Sequence, residues 1–283
     1  MVECWKFLGL SDLVKDQVLF DQDSASVIYD TSGTYTLPAE NILSVTIASS
    51  VHVTLCDMDA YTSRKKITIR IKNGGSLTYC SQVTLASGDA ALSLSFITVF
   101  LEDNAVYNGY VFCSGSGGVM LQSFDCHVEG LRAQGTMTVL HWLTEHARLA
   151  FTSRQMHNVS HGTSAITVKS VVEDSARMYY AGQIHVAQQA EHTVASQESK
   201  ALVFNDARAH AMPSLEILTN EVQCRHGSAI GYVNQDQLLY MQSRGISAHM
   251  AEQLIKRGFL EAPLKACSLE YVKSLFFDNF YKK

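Results

Sequence analysis

The chain has 283 residues, 47% of them hydrophobic and 17% charged, with a formal net charge of −5. That composition supplies a substantial core and excludes a disordered chain, and no run approaches the roughly 18 consecutive apolar residues of a membrane span. Residues 1–231 carry −7 and the remainder +2, too little positive charge on either part for a nucleic-acid protein. Met1 to Lys6 hold no basic stretch followed by an apolar one, which predicts no signal peptide and a cytoplasmic protein. The seven cysteines, at 4, 56, 80, 113, 126, 224 and 267, are odd in number and form no C-x-x-C pair. They read as reduced thiols, not as a disulfide framework or a zinc finger.

Residues 1–40 form an N-terminal segment in which Ser11 can open a short helix. Residues 41–231 are a succession of short strand-like runs. Lys66–Lys72 alternates, with Ile67, Ile69 and Ile71 on one face, and Leu92–Phe96, Ile166–Val168 and Ile184–Val186 repeat the pattern. Turn punctuation falls at Asn73–Gly75, Ser87–Asp89, Ser114–Gly118, Gly130, Gly135 and Gly182. Runs of three to five residues, continued for so long without a helix and with so little proline, favour a β-solenoid over a sandwich, although no clean repeat is visible.

From 232 to 283 the period becomes helical. Asn234 can cap a helix from Gln235 to Ser243, and Gly245 suits its left-handed stop. Ser247 opens a second helix carrying Met250, Ala251, Leu254 and Ile255, ended by Gly258, and a third begins near Ser268. As a DNA-binding helix pair this unit has too few cations, with Arg244, Lys256 and Arg257 against Asp236 and Glu252. A surface that docks another protein fits it better.

Three polar clusters carry possible chemistry. His157 and His161 share one face of either a helix or a strand, as two imidazoles that could ligate a metal. Asp206, His210 and Glu216 surround Pro213, which is expected to set a turn into a strand. On a strand Cys224 and His226 face one way and Arg225 the other, a half-site for zinc, iron or an iron–sulfur cluster. Arg225 would help to hold the thiol deprotonated. Hydrolase and phosphate-loop motifs are absent from the sequence, so any ATP chemistry belongs on another chain.

The ordered series of Tyr180–Thr193, Gln197, Leu202, His210, Pro213–Ile217, Glu221–Gly231, Leu239–Ser247 and Ile255–Phe259 resembles the SufB/SufD family, scaffold proteins of SUF iron–sulfur cluster assembly. The resemblance implies a mainly β fold, a right-handed parallel β-helix with a small C-terminal α-helical segment. It implies a SufC-type ABC ATPase partner docked on the C-terminal helices, through Leu239, Tyr240, Arg244, Gly245, Ile246, Ser247, Ile255, Gly258 and Phe259. It further implies an iron–sulfur cluster or iron, transient and shared with a partner chain, where a SufB-type and a SufD-type β-helix meet. His226 matches the histidine of the SufD-type Cys-x-His-Gly motif, with Cys224 beside it. Glu198 stands where SufB-type members place a cysteine, and is carried as a third candidate ligand. The sequence is also short at its N-terminus beside the family.

These readings make the chain a SufD-like scaffold, not an enzyme by itself, pairing with a SufB-type protein or with a second copy. The competing reading is a cupin-type metal-dependent β-barrel enzyme with His157, His161 and His210 as ligands. A β-helix carbohydrate enzyme lacks the acidic catalytic cluster it would need.

Overall fold

The computed structural model describes residues 24–38, 41–57, 64–85 and 92–266. The odd-numbered strands form one parallel sheet: β1 (Ser24–Tyr29), β3 (Ile42–Ile47), β5 (Arg64–Ile71), β7 (Leu92–Leu101), β9 (Val119–Val128), β11 (Arg148–His157), β13 (Arg177–Val186) and β15 (Arg208–Ile217). The even-numbered strands form the other: β2 (Gly33–Thr36), β4 (His52–Asp57), β6 (Ser76–Leu85), β8 (Val106–Gly115), β10 (Gln134–Leu143), β12 (Thr163–Val172), β14 (Thr193–Val203) and β16 (Val222–Gly231). Each coil therefore gives one strand to each sheet, which is a parallel β-solenoid. Its first strands, β1 and β2, fall within the segment before residue 41.

Alternation drives the architecture. Ile67, Ile69 and Ile71 all point inward and are buried, as their spacing predicts. Each such side chain gains about 1.5–3 kcal/mol on leaving water. Larger rings fill the interior further along: Tyr107 stacks on Phe124 at 5.7 Å, and Phe151 on Tyr180 at 5.5 Å between ring centroids.

Most strands are ten residues long, twice the predicted runs. The shortfall has a physical cause. Inward positions also hold Ser153, Gln155, His157, Ser164 and Gln197, buried polar residues that interrupt the apolar alternation without interrupting the strand. Gly135 and Gly182 likewise lie inside strands, not at turns. A Cβ at Gly182 would come within 2.0 Å of the Gln197 amide nitrogen and 2.5 Å of the Tyr180 hydroxyl, so the position is glycine for packing. Pro213 sits within β15, where Gly182 is its register partner, and sets no turn. An edge strand tolerates the missing N–H donor.

A repeat of about 30 residues, hidden in the amino-acid text, appears in the corners. Between the first and second sheets, Ser50, Gly74, Asn104, Arg132, His161 and His192 each take positive φ. On the return corners Glu145, Asp174 and Asn205 do the same, and the buried Ala147, Ala176 and Ala207 follow. The small alanine lets each corner nest on the one before it, and Arg148, Arg177 and Arg208 then start strands in register.

Two helices follow β16. Helix α1 (Gln235–Ser243) starts at Asn234, whose side chain accepts the Asp236 N–H at 2.8 Å, and stops before Gly245 at φ +85°. Helix α2 (Ala248–Glu261) is capped by Ser247, which accepts the Met250 N–H. It runs through the expected stop at Gly258, because Leu260, two residues further, is buried against the outer face of the second sheet. A short 3-10 turn, Ala262–Ala266, completes the described chain. The helices expected near Ser11 and Ser268 lie outside the described residues. Among the described residues no helix is long and apolar enough to cross a membrane.

The helical pair is fastened to the solenoid by two cations, buried Lys256 and half-buried Lys169. Lys256, 1% exposed, is ion-paired to Glu173 and Glu252 and sits 4.2 Å over the Phe204 ring. Lys169 donates to the Phe259 carbonyl at 3.0 Å and lies 4.6 Å over its ring.

Candidate functional site

The last coil differs from the coils in the middle of the solenoid. In the first sheet β13 buries Ile184 and Val186, whereas their register partners on β15, Leu215 and Ile217, are 38% and 37% exposed. In the second sheet β16 is an edge with β14 as its neighbour, and most of its residues are exposed on both faces. A ten-residue parallel strand with no neighbour on one side among the described residues is a surface that folded proteins normally protect. The edge of β15 carries Pro213; β16 has no such block.

Register decides what this edge presents. Cys224 pairs with Ala195 and His226 with Gln197, so the thiol and the imidazole continue the inward face of β14. Cys224 is half-buried against the cluster of Ile184, Val186, Ala190 and Ala195, while His226 is exposed. Arg225 points to the opposite face and is no local partner for the thiol. Burial pushes the Cys224 thiol above its ordinary range, partly offset by a backbone hydrogen bond from Ala195. A bound metal, which displaces the thiol proton, is the direct route to a thiolate here.

Glu198 lies on the other side of the sheet. It pairs in register with Gly227, faces outward and is ion-paired with Lys200. The fold therefore brings Cys224 and His226 together and sets Glu198 behind them. Gln197 takes the place beside His226. Its amide is buried, and neither amide atom has a hydrogen-bond partner among the described residues. The amide lies inside the solenoid against Gly182 of β13, a feature that carries no motif in the sequence.

The three histidines of the barrel reading are separated. His157 faces the solenoid interior, His161 occupies an outer corner, and His210 stacks on Tyr179 on the outer face of the first sheet at 5.4 Å. A cupin site needs an antiparallel barrel with convergent ligands, and a parallel solenoid with ligands on opposite faces of its sheet excludes it. His157 is instead a core histidine. Its Nε2 lies 2.7 Å from the Ser164 hydroxyl, which donates to Gln155 Oε1, so Nε2 carries the proton. His141 bridges Ser170 and Gln122 at 3.0 and 3.1 Å. Burial depresses both, His141 to about 3 and His157 to about 4. Glu216 accepts from Gln183 and pairs with His185, and Asp206 sits in the corner before β15.

On the helices, Leu239 and Tyr240 are each 61% exposed, and Arg244 lies over the Tyr240 ring. Tyr240, Met241, Leu254, Ile255 and Gly258 line an open groove between α1 and α2. Gly245 and Ser247 serve the turn, and Phe259 faces the chain's own sheet.

The family model described as SUF system FeS cluster assembly, SufBD core domain, matches residues 36–259. The chain is 26% identical over 230 residues to the iron–sulfur cluster assembly protein SufB of Bacillus subtilis, covering 79% of this chain and 49% of that protein. It is 28% identical over 120 residues to an iron–sulfur cluster assembly SufBD family protein of Staphylococcus saprophyticus, covering 42% of this chain and 26% of the relative. The chain thus spans about half, or less, of the length of the curated relatives it matches. With its solenoid, open last coil and matched core, the chain belongs to the SufB/SufD family of iron–sulfur cluster assembly proteins.

Proposed function

We propose that the chain is a SufD-type scaffold of the SUF system that holds nascent iron or an iron–sulfur cluster at the β16 edge, between itself and a second solenoid. The observation that carries this reading is the coincidence of an unprotected strand edge with Cys224 and His226 on its one inward face. Cluster iron takes thiolate and imidazole ligands. Two ligands do not complete a site, so the second chain supplies the rest. A SufB-type partner fits this role, and a second copy of the chain is the alternative occupant. Glu198 supports the SufD-type assignment through its identity, since SufB-type relatives place cysteine there. Its outward direction argues against a role as ligand beside His226.

In this reading the chain is not an enzyme by itself. A SufC-type ABC ATPase docks on the exposed side of α1 and α2, with Leu239, Tyr240 and Ile255 as its apolar anchors and Arg244 at the rim. Motion of the ATPase pair reaches the β16 edge along the short link from Gly231 to Asn234. Anaerobic reconstitution with ferrous iron and sulfide, on the complex with its partners, tests the reading. Iron retained by the complex should fall in His226→Ala and in Cys224→Ser, with ATPase binding unchanged. Full iron retention in both variants would remove the site assignment.

A further inference from the structure

One corner of the solenoid gathers ligand chemistry that the assembly edge does not use. The turns leading into β12, β14 and β16 stack on one another: the His161 N–H donates to the Glu191 carbonyl at 2.9 Å, and the His192 N–H to the Glu221 carbonyl at 2.6 Å. The imidazoles of His161 and His192 are stacked, with centroids 4.8 Å apart. Successive corners therefore place their side chains in one column. Within it, ligand atoms of Glu191, His192 and Glu221 all lie within 4.8 Å of one another, with His192 Nε2 3.5 Å from the Glu221 carboxylate. All three side chains are exposed and open to solvent.

Charge argues for a cation. Two carboxylates held this close repel each other, and among the described residues neither is ion-paired to a lysine or arginine. The His192 ring nitrogen, 3.5 Å from the Glu221 carboxylate, is a third donor atom beside them. We propose that Glu191, His192 and Glu221 bind one divalent first-row metal ion, of the Zn2+ or Fe2+ class, through one imidazole nitrogen and two carboxylate oxygens. Imidazole favours these ions over Mg2+ and Ca2+, and the lack of a thiolate makes the corner a site for a single ion, not a cluster. His161 is a positioning residue that holds the His192 ring by stacking. The same corner opens into a depression lined by Val194, Asn220, Val222 and Gln223, at the start of the strand that carries Cys224.

The site stands independently of the assembly reading and is tested separately from it. The purified, untagged chain is titrated anaerobically with Zn2+ by calorimetry, and with Co2+ as an absorbing probe. The variants are the double change Glu191→Gln/Glu221→Gln and, alone, His192→Asn, since asparagine tolerates the left-handed backbone at this position. Thermal denaturation confirms that each is folded. The expected result is one Zn2+ equivalent that survives Cys224→Ser/His226→Ala and weakens at least about tenfold in both corner variants. Co2+ bound there lacks a thiolate-to-cobalt charge-transfer band. Unchanged Zn2+ stoichiometry and affinity in the corner variants would overturn the proposal, leaving His192 and Glu221 as a surface ion pair. So would binding that shows only the thiolate band and disappears with Cys224→Ser.

Discussion

The middle and the end of the solenoid follow one pattern and differ in what covers it. From β5 to β13 each inward stripe lies between two neighbouring coils, and Ile69, Val99, Leu149 and Ile184 are fully buried. One strand later, on β15 and β16, the same stripe emerges into solvent as Leu215, Ile217 and His226. Repeat proteins usually close such an end with a capping unit that has a polar outer face. Here the chain leaves β16, turns at Gly245 and lays α2 on the outside of the second sheet, over Phe112, Leu140 and Val171. The helices thicken the flank, and among the described residues nothing covers the end. The last coil thus exposes the apolar stripe that the interior coils bury against their neighbours.

The largest contrast should come from truncating the inward stripe in the two regions. Phe151→Ala, in the closed middle, should cost about 3–5 kcal/mol in denaturant unfolding. Ile217→Ala, at the open end, should cost about 1–2 kcal/mol in the isolated chain, because more than a third of that residue is already in water. Equal losses would show that the last coil is covered by the chain itself. Lys256→Ala should cost about 3 kcal/mol, because it leaves Glu173 without its ion partner under α2, and it should expose the helical pair to proteolysis.

Glycine substitutions sharpen the same contrast. Gly182→Ala sets a methyl group against the Gln197 amide and should lower stability by about 1–3 kcal/mol. Gly227→Ala meets nothing within 4 Å and should stay within about 0.5 kcal/mol of the parent. Melting temperatures of the two variants, measured side by side, separate the regions.

A pH dependence also arises in the interior. His141 and His157 have folded-state pKa values depressed to about 3 and 4, below the roughly 6.5 of an unfolded histidine. Between those values the unfolded chain binds the extra protons. The histidines' contribution is therefore complete above pH 6.5 and is lost as pH falls towards 4, by about 1.4 kcal/mol per pH unit for each histidine. His141→Gln should flatten that slope in urea melts taken from pH 7 to pH 4. A slope that does not change would place the titrating groups elsewhere.

Local rules made parts of this molecule readable. Asn234, Gly245 and Ser247 bound the helices because caps depend on a few adjacent residues, and Ile67, Ile69 and Ile71 announce β5 because nothing polar interrupts them. Gly258 misleads, since a glycine stops a helix only when no packing carries it on, and here Leu260 does. The full strand lengths were hidden by inward Ser153, Gln155 and His157, whose hydrogen-bond partners, Tyr180, Ser164 and the Ser196 carbonyl, lie on other strands. The repeat was present in the text as Ala147–Arg148, Ala176–Arg177 and Ala207–Arg208, but its marker is a backbone conformation shared by Glu145, Asp174 and Asn205. At the site, alternation suffices to put Cys224 and His226 on one face. The outward turn of Glu198 and the buried amide of Gln197 depend on the register between β14 and β16, which no local signal states.

The central claim is that the bare last coil is completed by another chain. Anaerobic affinity purification of the full chain from its native cell, with identification of co-purifying proteins and an iron assay, tests it most directly. The account predicts an ABC-type ATPase together with a second SufBD-type solenoid, or a second copy of this chain. Recovery of a lone, metal-loaded monomer would contradict it.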